Sequence, residues 1–199
     1  MNLERITADN ISYAVSIQEE LFPDESARAN YEESLENSSD YEYYLIYQDG
    51  ACAGIIGLYH YPEDSDSAWL GWFGIRETYR RKHLGSVALK QFENMARDKG
   101  YRLARLYTDA ENNDAAIAFY EANGYFREPY FNTHDPACMK YKTLIFSKSL
   151  SGDPLIPWNS RNIHLTEQIA KQRKYSQNPL SLAMFSNCFK ATEPRCFLR

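Results

Sequence analysis

Apolar and polar residues recur along the chain with two periods, which predict strands and helices in an interleaved order. Alternation every second residue is typical of a half-buried strand, and apolar residues every three or four positions are typical of a helix. The predicted strands are residues 3–7, 43–47, 51–59, 68–75, 103–108, 125–131 and 138–146. The predicted helices are residues 11–21, 27–37, 87–99 and 115–122. This order predicts a three-layer α/β or α+β domain around a mixed sheet.

A turn dipeptide and a pair of strand glycines add to this pattern. Asp49-Gly50 separates the second and third predicted strands, and this dipeptide favours a tight hairpin. In the fourth predicted strand, Gly71 and Gly74 interrupt an apolar and aromatic run. A glycine inside a strand indicates a bulge, or a place where another backbone or a ligand comes close.

The fourth predicted strand is followed by a basic turn and the start of a helix. The turn reads Tyr79-Arg80-Arg81-Lys82-His83-Leu84-Gly85-Ser86. The first turn of a helix presents unpaired N–H groups and the positive end of the helix dipole, so it can hold a phosphate. The three consecutive cations suit a diphosphate, and Gly85 would let it approach closely. A solvated basic turn explains the same residues, so the context has to decide.

Composition excludes several classes of protein. The chain has 199 residues, 44% hydrophobic and 25% charged, which is ordinary for one globular domain. A net charge of -5 argues against binding nucleic acid, but suits a cationic substrate. No run is long and apolar enough to cross a membrane, and the N terminus lacks a signal pattern, so we expect a cytoplasmic protein. The cysteines have no metal-ligand spacing and are expected to be free thiols: Cys52, Cys138, Cys188 and Cys196.

Two motifs in the middle of the chain occur together. The first is Arg80-Arg81-Lys82-His83-Leu84-Gly85, and the second is Asn113-Asp114-Ala115-Ala116-Ile117-Ala118-Phe119-Tyr120-Glu121-Ala122-Asn123-Gly124-Tyr125. They resemble the pyrophosphate loop Gln/Arg-x-x-Gly-x-Gly/Ala and the downstream Asn-x-x-Ala-x-x-x-Tyr-x-x-x-Gly-Phe of the GNAT superfamily of N-acetyltransferases. The element order from Leu3 to Lys148 also resembles that family, which implies a largely antiparallel mixed sheet flanked by helices.

The resemblance implies transfer of an acetyl group from acetyl-CoA to an amine, without a metal. Tyr120 matches the family position that protonates the departing CoA sulfur, and a phenol with an ordinary pKa of about 10 suits a thiolate. A tyrosine packed in the core is the competing interpretation. Asn113 would bind the cofactor, cap its helix, or do both. The resemblance also assigns cofactor binding to residues of the fourth strand and the basic turn: Phe73, Gly74, Ile75, Arg80, Arg81, Lys82, His83, Leu84, Gly85 and Ser86.

One departure from the family pattern concerns the cofactor. His83 stands where the family usually has the first glycine of the loop. A side chain there could crowd the phosphates, since only glycine takes a positive φ freely. Alternatively, the backbone keeps a negative φ, the imidazole donates to a phosphate, or the histidine lies on the surface and does neither.

The catalytic base and the acceptor stay open. The fourth predicted strand has no carboxylate or histidine between Trp69 and Ile75, which leaves a water relay or a remote carboxylate such as Asp109, Glu19 or Glu20. Acidic and aromatic residues of the first two helices and the loop after the hairpin suit a cationic amine, although acidic helix faces also serve solubility. They are Asp24, Glu25, Glu32, Glu33, Glu36, Asp64 and Asp66 with Tyr41, Tyr43, Tyr44, Tyr59 and Tyr61.

The C-terminal part lies outside the resemblance. We divide the chain into a transferase domain, residues 1–148, and an extension, residues 149–199, with a linker at Pro154 and Pro157 and a short basic helix from Leu165 to Tyr175. The extension could pack across the core, cover the acceptor site or exchange with a second subunit in a homodimer. A non-catalytic acyl-CoA-binding or sensor protein of the same fold is the alternative function, favoured by His83 and by the missing base.

Overall fold

The architecture was examined in a computed structural model, which describes residues 1–23, 26–36, 38, 41–110, 113–130 and 143–158. The strands are β1 Asn2–Arg5, β2 Tyr41–Gln48, β3 Ala51–Tyr59, β4 Ser67–Ile75, β5 Leu103–Asp109, β6 Phe126–Pro129 and β7 Thr143–Ser149. The helices are α1 Ile11–Leu21, α2 Arg28–Glu36, α3 Leu84–Asp98 and α4 Asp114–Ala122. Short 3-10 turns precede β4 and α3.

The strands form one sheet with the order β1-β2-β3-β4-β5-β7-β6. All neighbouring pairs are antiparallel except β4 and β5, which run parallel. The hairpin between β2 and β3 turns at Asp49 and Gly50, both with positive φ, as a two-residue turn of the mirror-image type requires. The predicted fold class, a mixed and largely antiparallel sheet flanked by helices, is therefore confirmed.

Helices cover both faces of the sheet. The buried stripe of α3 joins the core formed with α4 on one face, through residues such as Leu89 and Phe92. On the opposite face, α1 and α2 pack on β2 and β3, where Tyr31 is fully buried. A third cluster, made mainly of aromatic residues, includes Trp69 of β4 and Trp158 from the segment after β7.

Several predicted boundaries shift. The predicted α3 began at residue 87, but the helix starts at Leu84, directly after the basic turn. β7 runs past the predicted end at residue 146 to Ser149, and β6 covers only Phe126–Pro129. The residues predicted to start β7, the Cys138 strand position and the Leu165–Tyr175 helix lie outside the described residues. β7 runs across the predicted division after residue 148, and the extension is described only as far as residue 158, so the division stays a prediction.

Candidate active site

A cleft opens where β4 and β5 separate. The two strands pair only through Ser67, Ala68 and Trp69 of β4, opposite Leu103, Ala104 and Arg105 of β5. Beyond Trp69, β4 continues to Ile75 and β5 to Asp109 without further pairing. The unpaired halves leave backbone N–H and C=O groups of β4 without sheet partners on that side, so an extended ligand could pair with them.

The free half of β4 contains a bulge. Ile55 pairs with Gly74 and Gly57 with Gly71, so two residues of β4, Trp72 and Phe73, stand opposite one residue of β3. Trp72 has a φ of 38°, a conformation that a bulky residue rarely adopts and that costs about 1–3 kcal/mol. The glycines of β4 predicted such an irregularity, and it lies between them.

Glycines on β3 make room for this bulge. A Cβ added at Gly54 would lie 2.1 Å from the carbonyl oxygen of Gly74, and one at Gly57 would lie 2.8 Å from that of Gly71. Both distances are far below van der Waals contact, so the backbone of β4 approaches β3 at two points where only glycine fits. Our reading of the sequence missed this role, although the two glycines in an otherwise apolar strand were its visible signal.

The cleft holds an apolar recess that is partly open to solvent. Its walls come from β4, from the first turn of α3 and from α4: Phe73, Gly74, Ile75, Gly85, Ala116, Phe119 and Tyr120. The rings of Phe73 and Phe119 lie 6.0 Å apart across it. All seven of these residues belong to the two motifs or to the predicted cofactor strand, so the structure brings those separate stretches together.

Tyr120 supplies a phenol to the wall of this recess. The residue is buried, and its ring packs against Phe119, Tyr125 and Phe146 at centroid distances of 5.3, 6.1 and 5.4 Å. Burial, reinforced by the nearby Glu93, raises the pKa of the Tyr125 hydroxyl well above its ordinary value. Tyr125 therefore stays neutral, and the aromatic surroundings of Tyr120 carry no charge. The predicted acid role of Tyr120 and its packing role are compatible.

The basic turn adopts a tight conformation at the N terminus of α3. Arg81 and His83 have φ values of 58° and 59°, so both take the left-handed region without glycine. The alternative in which His83 keeps a negative φ is therefore wrong. Histidine enters this region more readily than most residues, and the exposed imidazole avoids a clash with the chain. His83 makes no side-chain cap to α3, which leaves the first-turn N–H groups of the helix for another acceptor.

The cations of this turn are arranged differently from one another. Arg80 donates through Nε to the Ile75 carbonyl at 2.8 Å, which ties the turn to the end of β4. Lys82 donates to the Thr78 carbonyl at 3.0 Å, whereas the Arg81 side chain is exposed. Arg80 thus has a structural contact in addition to any role with phosphate, and its assignment to cofactor binding stays a prediction.

Asn113 occupies the N-cap position of α4 but does not cap the helix through its side chain. Its backbone carbonyl accepts from Ile117, and its side-chain Nδ2 donates to Thr108 Oγ1. The amide therefore links the start of α4 to β5 at the edge of the cleft. Of the interpretations left open by the sequence, a cap by the Asn113 side chain is wrong, and cofactor binding stays a prediction.

The candidate bases lie in different surroundings. Glu20 accepts from Arg76 Nε at 2.9 Å and lies 2.8 Å from its Nη2, and this hydrogen bonding is the main cause of the raised pKa of Arg76. Glu20 is thus committed to an ion pair. Glu19 is exposed on α1, and the side chain of Asp109 is outside the described part. Neither of the two described carboxylates lines the recess.

The acidic residues predicted to attract the acceptor also lie in different surroundings, some buried and some exposed. Asp64 is buried, accepts from Trp69 Nε1 at 3.2 Å and lies 3.4 Å from Arg105 Nε, so its charge is neutralised inside the protein. Glu32 forms an exposed pair with Arg28 at 3.7 Å. Asp24 and Glu25 are outside the described residues. In the part of the chain that is described, no helix could span a membrane and no cluster of His, Cys, Asp or Glu could hold a metal.

Sequence comparison defines the class of protein. Residues 10–125 match the acetyltransferase (GNAT) family, and the chain belongs to it. Acetyl transfer is therefore the activity of its class.

Individual proteins are similar to this chain in sequence or in fold. The uncharacterized N-acetyltransferase YdgE of Bacillus subtilis is 28% identical over 130 residues, which are 63% of this chain and 81% of that protein. The ribosomal-protein-S18-alanine N-acetyltransferase of Escherichia coli has the same fold, with a TM-score of 0.59, 17% identity, and coverage of 79% of this chain and 98% of that one. An aminoglycoside 6'-N-acetyltransferase complexed with coenzyme A is similar in fold, with a TM-score of 0.59 and 14% identity. The match covers 78% of this chain and 100% of that one.

Proposed function

We propose that the protein transfers the acetyl group of acetyl-CoA to a primary amine of a small molecule or peptide by direct attack. The observation that supports this most is the convergence of the bulged β4, the N terminus of α3 and Tyr120 on one apolar recess. The fit of the residues to acetyl-CoA is chemical: a helix N terminus and cations for the diphosphate, a free strand for an extended amide-bearing arm, and an apolar wall for the acyl end.

The cofactor would lie along the free half of β4, with Phe73 and Ile75 fixing its arm through their backbone groups. The diphosphate would rest on the N–H groups of Leu84, Gly85 and Ser86, with Arg80, Arg81, Lys82 and His83 around it. Gly85 borders the recess, where an added Cβ would lie 3.4 Å from the Phe119 ring. Asn113 would contact the cofactor from the far side of the cleft.

In the reaction, a neutral amine attacks the thioester carbonyl, and negative charge develops on the carbonyl oxygen. A backbone N–H of the bulge would stabilise that charge. As the tetrahedral intermediate collapses, the C–S bond breaks and Tyr120 gives its proton to the departing sulfur. The amine loses a proton to a base that we do not assign, because no described carboxylate or histidine lines the recess.

Calorimetric titration with acetyl-CoA, with CoA and ATP as comparison ligands, tests the first half of the proposal. We expect saturable binding at one site, weakened by Gly85→Asp because a carboxylate would stand among the phosphate donors. Binding that equals that of ATP would indicate a general phosphate site. No binding at millimolar ligand would contradict the proposal.

Replacing Tyr120 with Phe tests the second half, in an assay of CoA release against a panel of amines. We expect kcat to fall by about a hundredfold or more, with acetyl-CoA affinity unchanged, because only the proton donor is lost. Tyr125→Phe is the matched control, since that ring touches Tyr120 but does not line the recess. Equal rates for Tyr120→Phe and the wild type would remove Tyr120 from the mechanism. Tight binding without turnover of any amine would favour the sensor alternative, which the absence of a base on β4 supports.

A further inference from the structure

Trp72, the residue with positive φ in the β4 bulge, is attached to the helices on the opposite face of the sheet. Its indole Nε1 donates to Asn30 Oδ1 of α2 at 3.3 Å. Its ring meets Phe22, the residue directly after α1, at 5.2 Å and 81°, an edge-to-face contact. One side chain therefore connects the bulge to both ends of the α1–α2 connection.

The same part of β4 is held from that side by α1. A Cβ added at Gly74 would lie 3.1 Å from Leu21 Cδ1 and 3.2 Å from the Phe22 ring, so helix and strand are in close contact. Phe73, between Trp72 and Gly74, directs its ring into the recess toward Phe119. Because consecutive residues are joined by rigid peptide planes, the rotation of Trp72 sets the direction of the Phe73 N–H and ring.

We propose that Trp72 is a positioning residue for acyl transfer, and that its contacts with Asn30 and Phe22 hold the bulge in the conformation that directs the β4 backbone at the thioester carbonyl. This inference rests on the proposed function. The strained φ needs such a support, since an unsupported strand residue relaxes to negative φ. Gly54 and Gly57 permit the bulge by leaving space, and Trp72 selects it by attachment to α2 and Phe22.

The first test needs no ligand. The 13Cα and 13Cβ chemical shifts of residue 72 report its backbone conformation, and we would measure them in the labelled full chain with Asn30→Ala. The expected result is a move of both shifts toward extended-strand values. Asn94→Ala, which removes an exposed asparagine that accepts from Arg97 on α3, is the control and should leave them unchanged. Unaltered shifts at residue 72 in Asn30→Ala would overturn the proposal.

The second test uses acetyl-CoA labelled with 13C at the carbonyl. Hydrogen bonding in the wild type should lower the infrared frequency of the bound thioester carbonyl, and Trp72→Phe, which keeps a ring but loses the N–H, should return it toward the free value. We expect kcat to fall about tenfold, with KM for acetyl-CoA within about twofold of wild type, as misalignment predicts. Trp158→Phe is the control, because it makes the same exchange of an indole for a phenyl ring in the third, mainly aromatic cluster.

An unchanged carbonyl band and kcat in Trp72→Phe would overturn the proposal. A general loss of fold in Trp72→Phe would instead lower acetyl-CoA affinity and thermal stability together. Asn30→Ala separates the two explanations, because it removes the contact of Trp72 with α2 and keeps the Trp72 ring. If the wild type does not bind acetyl-CoA, the proposed function falls, and with it the catalytic role of Trp72. The ligand-free comparison still decides whether Asn30 holds the bulge.

Discussion

The two faces of the sheet at the junction of β4 and β5 are built in opposite ways. On the face of α3 and α4, the strands separate, the recess is open, and the chain is strained. Within the described residues, the positive-φ residues other than glycine are Asp49, Trp72, Arg81 and His83. Trp72 directly precedes Phe73 in the wall of the recess, and Arg81 and His83 lie in the basic turn just before Gly85. On the opposite face, the same junction is filled and its polar groups are paired.

The filled side centres on Arg105, which is completely buried. Its guanidinium donates to the hydroxyls of Ser67 and Ser147 and to the Ile156 carbonyl, and its Nε lies 3.4 Å from Asp64. Trp158 covers the group, with its ring 5.6 Å from the guanidinium carbon. A buried charge is tolerated only with such partners. This cluster therefore stabilises the paired end of β4 and β5, on the face opposite the recess where we propose that acetyl transfer takes place.

The largest effect on this contrast should come from Trp158→Ala. Trp158 is 1% exposed, packs edge-to-face on Trp69 at 5.2 Å, and donates its backbone N–H to Glu128 at 2.7 Å. We expect the free energy of unfolding, measured with urea, to fall by about 3–5 kcal/mol. Ile156→Ala, in the same segment but exposed, should change it by no more than about 0.5 kcal/mol. Equal losses in the two variants would show that the segment, rather than the buried indole, provides the stability.

A somewhat smaller effect is expected from Arg105→Met, which keeps the length of the side chain and removes its charge. Asp64 would then be a buried carboxylate without its cation, and we expect a loss of about 3 kcal/mol. Adding Asp64→Asn should recover part of that loss, and the double-mutant cycle measures the coupling. Additive losses would mean that the serine and carbonyl contacts, rather than the pair, account for the cost. Acetyl-CoA affinity should stay constant throughout.

The open side was the more predictable of the two from sequence. Its basic turn, the start of α3 and the Asn113–Tyr125 stretch are each formed by neighbours in the chain, so local spacing carries the information. The interruption of β4 by two glycines also indicated the bulge correctly. What local reasoning missed was which residue takes the positive φ: a tryptophan held by a distant helix, at a point made possible by glycines of another strand.

The cluster around Arg105 and Trp158 on the filled side could not be predicted from local sequence patterns. Trp158 lies in a proline-containing segment without a period, and its partners, Trp69, Arg105 and Glu128, are spread over three strands. No spacing rule connects such residues, because their contacts depend on the finished sheet order. The predicted linker at Pro154 and Pro157 therefore leads directly into Trp158, which packs in this cluster. Asp64, expected near a cationic substrate, belongs to this cluster for the same reason.

The smallest and most discriminating change is His83→Gly, which restores the glycine that the family usually has in the loop. Relief of left-handed strain, about 1–2 kcal/mol, is partly offset by the entropy that glycine adds to the unfolded chain, about 0.5–1 kcal/mol. We therefore expect a gain in stability of at most about 1.5 kcal/mol by urea unfolding. Asp49→Gly makes the same exchange in the remote β2–β3 hairpin and should give a similar gain.

The affinity for acetyl-CoA then separates the roles left open for His83. The imidazole is exposed and does not cap α3, so we expect the affinity of His83→Gly to stay within about twofold of wild type. A tenfold loss, absent from Asp49→Gly, would show that the imidazole donates to a phosphate. A tenfold gain would show that it crowds the cofactor. Because both variants replace a positive-φ residue with glycine and only His83 lies next to the recess, Asp49→Gly accounts for the effect of strain relief on affinity.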